Sequence, residues 1–242
     1  MLTLLKVELY KLKRSKILLA TTIFTFLALY QGWDFAKFGQ AEGEKDIYRA
    51  FLYQGTITVY SWIIFPLIIT LVLVMMSRME HSNNSWKYYL TLPVAREKVY
   101  LTKLVTGGGI ILYSLVLLFA GIILAANLLG LEAVPLLWIA KKFGALLLAS
   151  LAIIGIVFYL SYRFTHFAVP VVIGAGLAFP SMFVANSEKY WLFYPWDYPI
   201  VSSMNDVFDM SGKNMIMFVI SISIFLFAII FGLLRFRTKD VL

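Results

Sequence analysis

Six stretches of this sequence are apolar over about the length a helix needs to cross a bilayer: residues 17–33, 56–77, 104–131, 143–162, 164–185 and 215–234. The hydrocarbon core is about 30 Å thick and each helical residue adds 1.5 Å, so a span takes roughly 20 mainly apolar residues. The pattern predicts an all-α integral membrane protein with six transmembrane helices. Composition agrees, since 61% of the 242 residues are hydrophobic and only 14% are charged. A soluble domain carries about a quarter charged residues, and no single core could hide this much apolar surface. The connections between spans are short, so residues 1–242 read as one transmembrane domain.

Two boundaries need more argument. The first span is short, and the apolar side of the preceding segment can extend it. The fourth is interrupted near its start by Lys141 and Lys142, so residues 134–140 are expected to form a short interfacial or re-entrant piece. The beginning of the chain has the basic-then-apolar order of a signal peptide, but no small-residue cleavage pattern follows Tyr30 and more spans come later. It therefore reads as an uncleaved first span.

Charge orients the spans. With the N-terminus inside, the inner segments hold 14 of the 21 Lys and Arg residues and the outer ones 7, while the acidic residues divide four inside and nine outside. Positive residues favour the cytoplasmic side, so both termini are expected there. The net charge of +8 then reflects topology and contact with anionic lipid rather than nucleic-acid binding. Cysteine is absent, which excludes a disulfide scaffold, Cys-ligated zinc and a Cys nucleophile.

Residues 1–16 read as an amphipathic helix lying in the membrane interface. Leu2, Leu5, Leu9 and Leu12 recur at three- and four-residue steps while Lys6, Lys13 and Lys16 lie off that stripe. The segment is either a basic anchor or a lever, with Leu5, Glu8, Leu9 and Leu12 as the lever residues, that connects cytosolic motion to the first span. The inner loop, residues 78–103, carries Trp86, Tyr88 and Tyr89 on a short polar helix over residues 80–90. Thr91-Leu92-Pro93 breaks that helix, and a second one enters the next span. Exposed aromatics on a rigid helical turn suit a docking surface; the alternative is anchoring at the membrane interface.

At this loop, Glu80, Trp86-Lys87, Leu90, Leu92-Pro93-Val94, Arg96 and Lys103, together with the opening Leu4-Leu5-Lys6-x-Glu8-x-x-Lys11, resemble the permeases of the second class of ATP-binding-cassette (ABC) exporters. The likeness is greatest to the lantibiotic-immunity and bacitracin-resistance branch, which includes exporters of amphipathic peptide toxins. These motifs cover about 35 residues, and the six-span hydropathy extends the likeness less specifically over the chain. Many relatives carry a glycine just before the Trp-Lys pair, where this chain has Asn84-Ser85. The resemblance implies that the loop is a cytosolic coupling helix docking on a separate ATPase through Glu80, His81, Ser85, Trp86, Lys87, Tyr89, Leu90, Leu92, Pro93 and Arg96. A smaller second contact would be at Arg163 and Phe164. It further implies a unit of two permeases, identical or homologous, and two ATPases in a bacterial plasma membrane, with ATP and Mg on the ATPase.

Absent motifs narrow the chemistry. No G-x-x-x-x-G-K-[ST] occurs, and Gly107-Gly108-Gly109 lacks the following Lys-Ser/Thr, so no nucleotide cofactor is expected to bind directly. H-E-x-x-H and G-x-S-x-G are missing, and His81 and His166 stand alone in different inner loops, so no metal site and no catalytic residue is expected. Asn83-Asn84-Ser85 matches a glycosylation sequon on the inner side, where it has no meaning. Within the limits given above, the spans hold no Asp, Glu, Lys or Arg. An ion-coupled transporter usually carries such a residue, so the energy source is expected outside this chain.

Thr58, Tyr60, Trp62, Phe65 and Met182 are the candidates to line a translocation path. Pro66, Pro170 and Pro180 can kink the helices that carry them, while Gly174 and Gly176 permit close contacts. The outer segment from Tyr190 to Pro199 is dense in aromatics, which reads as an interfacial belt or as a short external helix guarding an exit. The leading expectation is a permease subunit moving a hydrophobic or amphipathic peptide, antimicrobial or cytolytic. The alternative is a non-transporting membrane immunity or sensor protein that binds a peptide. An intramembrane enzyme would need paired catalytic groups at depth, and the sequence offers none.

Overall fold

A computed structural model describes residues 2–41, 52, 55–82, 95–131, 135–187, 189–204 and 213–237. The described residues are helical, with no strand. Helix α1 (Leu2–Arg14) closes on Ser15, whose hydroxyl donates to Leu12 O at 2.9 Å. α2 (Ile17–Ala41) follows directly. α3 joins Thr56–Val59, a π-helical turn Tyr60–Ile64, and Phe65–Ser82. The π turn has a cause in the sequence. A proline inside a helix removes one bond and its ring crowds the carbonyl four residues back. Just ahead of Pro66 the turn widens, and Phe65 N–H reaches Tyr60 O instead.

α4 (Arg96–Leu128) ends at Gly130, whose φ of 66° lets Leu131 N–H cap Ala126 O at 3.0 Å. α5 (Leu136–Arg163) begins behind Pro135 and runs without interruption past Lys141 and Lys142. The expected re-entrant piece at residues 134–140 is therefore replaced, from Leu136 on, by the first turns of this helix. The lysine pair does not break it, because Lys142 is buried and its ammonium donates to Ser203 O at 2.7 Å. α9 (Lys213–Arg237) closes the described chain.

Among the described residues, five helices are long and apolar enough to cross a membrane: Ile17–Lys37, Thr56–Glu80, Arg96–Leu128, Leu136–Arg163 and Met215–Arg237. The fifth expected stretch, residues 164–185, is two short helices, α6 (Ala168–Gly176) and α7 (Ser181–Ala185), separated by a turn that ends at Pro180. Neither piece crosses a bilayer by itself. Backbone groups freed by such a break need partners where water is scarce. Gly174 O accepts from Trp196 Nε1 at 2.8 Å, and Leu177 O accepts from the Tyr194 hydroxyl at 2.6 Å.

The aromatic segment that starts at Tyr190 thus folds back as a clamp on the broken helix. It consists of a 3₁₀ turn Trp191–Phe193 and helix α8 (Tyr198–Ser203). Trp191, Trp196 and Tyr198 are buried in the protein, while Tyr190 and Phe193 are exposed. The belt reading therefore applies at most to the exposed pair.

α5 is the hub, packing against α3, α4, α6, α8 and α9. Its closest neighbour is α9. A Cβ on Gly155 would lie 2.9 Å from Phe225 Cα, and Ser221 Oγ bridges the two helices by accepting from Ala152 N–H at 3.0 Å and donating to Leu148 O at 2.8 Å. Small residues and hydroxyl bridges are how helices associate where the solvent is itself apolar.

Candidate functional site

The most concentrated chemistry lies where α1, the end of α3 and the start of α4 meet. Lys103 Nζ sits 2.8 Å from Glu80 Oε1 and 3.0 Å from Glu8 Oε1. Lys11 Nζ lies 2.7 Å from the same Glu80 oxygen and 3.7 Å from Glu8. The four groups close a ring of alternating sign with no net charge. The Lys103 and Glu80 side chains are each 1% exposed, Glu8 7% and Lys11 30%. Taking an ion out of water costs several kcal/mol, and only a well-placed opposite charge offsets it. No member can therefore be removed without leaving a buried charge short of its partner. Tyr162, near the end of α5, is buried beside the ring, close enough to be acted on by the charge of both Glu8 and Glu80. Its phenol ring packs at a tilt against Phe158, the ring centres 4.6 Å apart.

Helical spacing brings these residues together. Leu4 and Leu5 are half-buried, as are Lys11 and Ser15, while Glu8 and Leu12 are buried, so the inner stripe of α1 runs 4/5, 8, 11/12, 15. The expected leucine stripe is thus rotated. Leu5, Glu8 and Leu12 face inward, but Leu9 is 53% exposed. Glu8 takes the inward place because Lys103 is there to meet it. Two other expectations change in the same way. Glu80, expected on a docking surface, is turned into the subunit. The absence of ionisable residues in the spans does not survive the longer helices, which carry Glu80, Lys103 and Lys142 into buried positions at their ends.

Of the remaining residues expected at an ATPase contact, the His81 side chain and Ser85, Trp86, Lys87, Tyr89, Leu90, Leu92 and Pro93 lie outside the described residues. Arg96 is half-buried and donates to Arg237 O at 3.0 Å. Arg163 and Phe164 are exposed at the end of α5, with the guanidinium 5.7 Å from the ring centre. Among the candidate path residues, Tyr60 and Phe65 are fully buried and stack at 5.1 Å, and the Tyr60 hydroxyl donates to Ser114 Oγ at 2.8 Å. Thr58, Trp62 and Met182 are half-buried. Tyr60 and Phe65 thus fill the interior of the subunit.

At the end of the molecule where α5 begins, Asp197 is 0% exposed and neither carboxylate oxygen has a hydrogen-bond partner among the described residues. Burial pushes its pKa from 3.8 up to about 9. The sequence reading placed Asp197 in a loop and passed over it. Its signal was a lone acid between Trp196 and Tyr198, in a segment too aromatic to stand in water. No group of three or more His, Cys, Asp or Glu side chains that could hold a metal occurs among the described residues.

Five apolar spans around a buried polar corner define a multi-pass membrane protein with an organised end. Residues 4–181 match the family described as ABC-2 family transporter protein. The chain belongs to that family, and as such is an ABC-2 permease, the component of an ABC transporter that is generally non-catalytic. No curated protein matches it.

Proposed function

We propose that this chain is the permease of an ATP-driven exporter that moves a hydrophobic or amphipathic peptide, antimicrobial or cytolytic, out of the membrane or cytosol of a bacterial cell. A separate ATPase holding ATP and Mg supplies the energy. A second permease, identical or homologous, completes the path, and both termini are cytoplasmic.

The observation that carries this reading is the ring of Glu8, Lys11, Glu80 and Lys103. It ties α1 to both helices that flank residues 83–94, the segment bearing the aromatic docking residues. A push on that segment meets a fastened corner and reaches α1 and α5 directly, the geometry a coupling element needs. Tyr60 and Phe65 fill the subunit interior, which favours a path between two permeases over one through a single helical bundle.

The test uses inside-out vesicles containing this chain and its ATPase, with a fluorescent amphipathic peptide as probe. ATP should drive uptake of the peptide, and replacing the catalytic lysine of the ATPase should abolish it. Lys103→Met should leave hydrolysis running while uptake falls. Unchanged peptide handling with an inactive ATPase would overturn the exporter reading in favour of a peptide-binding immunity or sensor protein.

A further inference from the structure

Asp197 stands where a capping residue belongs and does not cap. It precedes the first turn of α8, yet its carboxyl makes no bond to that helix, and its backbone is helical, at φ −90° and ψ −14°. A residue that caps through its side chain has an extended backbone, and aspartate is among those best suited to the role. Pro199 has no N–H to offer such a cap, which leaves Ile200 as the donor in the first turn. The carboxyl is instead turned inward, fully buried, with neither oxygen hydrogen-bonded among the described residues.

The donors close to it are committed elsewhere. Its charge acts on the phenols of Tyr194 and Tyr198, so both lie near it. The Tyr194 hydroxyl donates to Leu177 O at 2.6 Å, the Tyr198 hydroxyl to Leu192 O at 2.6 Å, and Trp196 Nε1 to Gly174 O at 2.8 Å. The bonds from Tyr194 and Trp196 are the two that hold the break between α6 and α7. A carboxylate is a stronger acceptor than a carbonyl, and burying one without a donor is costly. On losing its proton, Asp197 therefore either takes the Tyr194 hydroxyl from Leu177 O or turns toward the first turn of α8. The second move needs its backbone to pass from helical to extended. That breaks the bond from its own N–H to Tyr194 O, now 3.0 Å, and swings Tyr194 and Trp196 relative to α8. Both routes loosen the same clamp.

Among the described residues, the titratable and charged groups on the elements around α8 are placed elsewhere. Lys142 of α5 is bonded to Ser203 O at the opposite end of α8, and Lys141 is exposed. Tyr60 of the π turn donates to Ser114, and Arg235 and Arg237 lie in the last turn of α9. Thr56–Val59, α6 and α7 carry no such residue.

We propose that Asp197 is a proton-operated latch: while it carries its proton the aromatic segment holds α6 and α7 in their broken arrangement, and loss of the proton releases that hold. Burial pushes its pKa up to about 9, so the latch is shut at neutral pH, with about one molecule in a hundred open two units below that value. The latch involves neither the ATPase nor a peptide, so it stands or falls separately from the transport reading.

The experiment measures amide hydrogen exchange of the purified full chain in nanodiscs from about pH 6 to about pH 10, each rate divided by the intrinsic chemical rate at that pH. In wild type, protection of the Leu177, Ala178 and Ser181 amides, which are bonded within and beside the break, should fall at least about tenfold with a midpoint near pH 9. D197N should stay within about twofold over the same range. The phenols and lysines are common to both proteins, so an equal fall in D197N would assign the opening to them and overturn the proposal, as would constant protection in wild type. Protection in α4 and α5 should not change, and a loss there of the same size would mean alkaline unfolding rather than a latch. Infrared spectroscopy supplies a second measurement. The carbonyl band of a protonated buried acid should be present in wild type at pH 7 and disappear with the same midpoint as the protection. Absence of the band at pH 7, or its loss while protection stays constant, would refute the latch. If D197N fails to fold, the agreement of the two wild-type midpoints decides the matter, and midpoints more than about one pH unit apart overturn the proposal.

Discussion

Asp197 offers the sharpest test of the end of the molecule where α5 begins. It is fully buried with both oxygens unpartnered among the described residues, and its pKa rises from 3.8 to about 9. The folded protein therefore keeps a proton that the unfolded chain has lost at neutral pH. The sign follows from that difference. The group costs nothing below about pH 4, where both states are protonated. The cost grows as pH rises from about 4 to about 9 and is constant above that. At pH 7 the gap from 3.8 is about three units, each worth 1.36 kcal/mol, so the penalty is about 4 kcal/mol. Asp197→Asn removes the penalty. Asparagine has nearly the same shape and buries similar polar atoms, so the comparison isolates the proton. Tryptophan-fluorescence melts of detergent-solubilised protein should show the variant roughly 10 °C more stable at pH 7, by the scaling for chains of this size, and indistinguishable from wild type near pH 4. Equal melting at pH 7, or a difference of the same size at both pH values, would refute the burial argument.

Three further outcomes follow from the packing. Lys103→Met should destabilise the protein by about 3–5 kcal/mol, because Glu8 and Glu80 remain buried and both lose the ammonium between them, and Glu80→Lys combined with Lys103→Glu should recover part of that loss in a denaturation series. Gly155→Leu should force α9 away from α5 and lower the melting temperature by the equivalent of at least about 1–3 kcal/mol, whereas the same change at Gly144, where nothing lies within 4 Å of an added Cβ, should have little effect. Trp196→Phe deletes the donor to Gly174 O and should cost about 1–2 kcal/mol, with faster amide exchange confined to residues 174–181.

How far the sequence could be read depended on whether the signal was local. The long apolar runs of α3, α4, α5 and α9 were legible because length and hydropathy alone decide them. Their ends were not. Lys142 looks like a helix stop until Ser203, about 60 residues away, supplies a carbonyl for its ammonium. Glu80 and Lys103 were singled out by resemblance, but their burial depends on Glu8 arriving from the first helix. A leucine stripe counted along α1 alone could not foresee that the inward place would go to a carboxylate. The break in residues 164–185 had a local sign in Pro180. What keeps it open, the pair of aromatic caps from Tyr194 and Trp196, belongs to another segment. The pattern is physical: apolar burial is nearly additive along a chain, whereas a buried charge or an open carbonyl is tolerable only once a distant partner is in place.

That dependence also shows how the two ends of the molecule are joined. α5 carries a buried polar anchor near each end, Lys142 bonded to the last turn of α8 and Tyr162 beside the ionic ring. The two lie about 20 residues apart on one uninterrupted helix, about 30 Å. Between them the helix is locked to α9 by Gly155 and Ser221 and touches most of the other elements, so it cannot bend independently of the bundle. The ring is therefore connected through α5, with no flexible linker between, to α8, whose neighbouring aromatics hold the broken helix α6–α7 in place. Packed helices of this kind shift between discrete arrangements rather than deform continuously. The turn between Gly176 and Ser181 lies next to that contact, and the side-chain hydrogen bonds from Tyr194 to Leu177 O and from Trp196 to Gly174 O hold it without involving any long span.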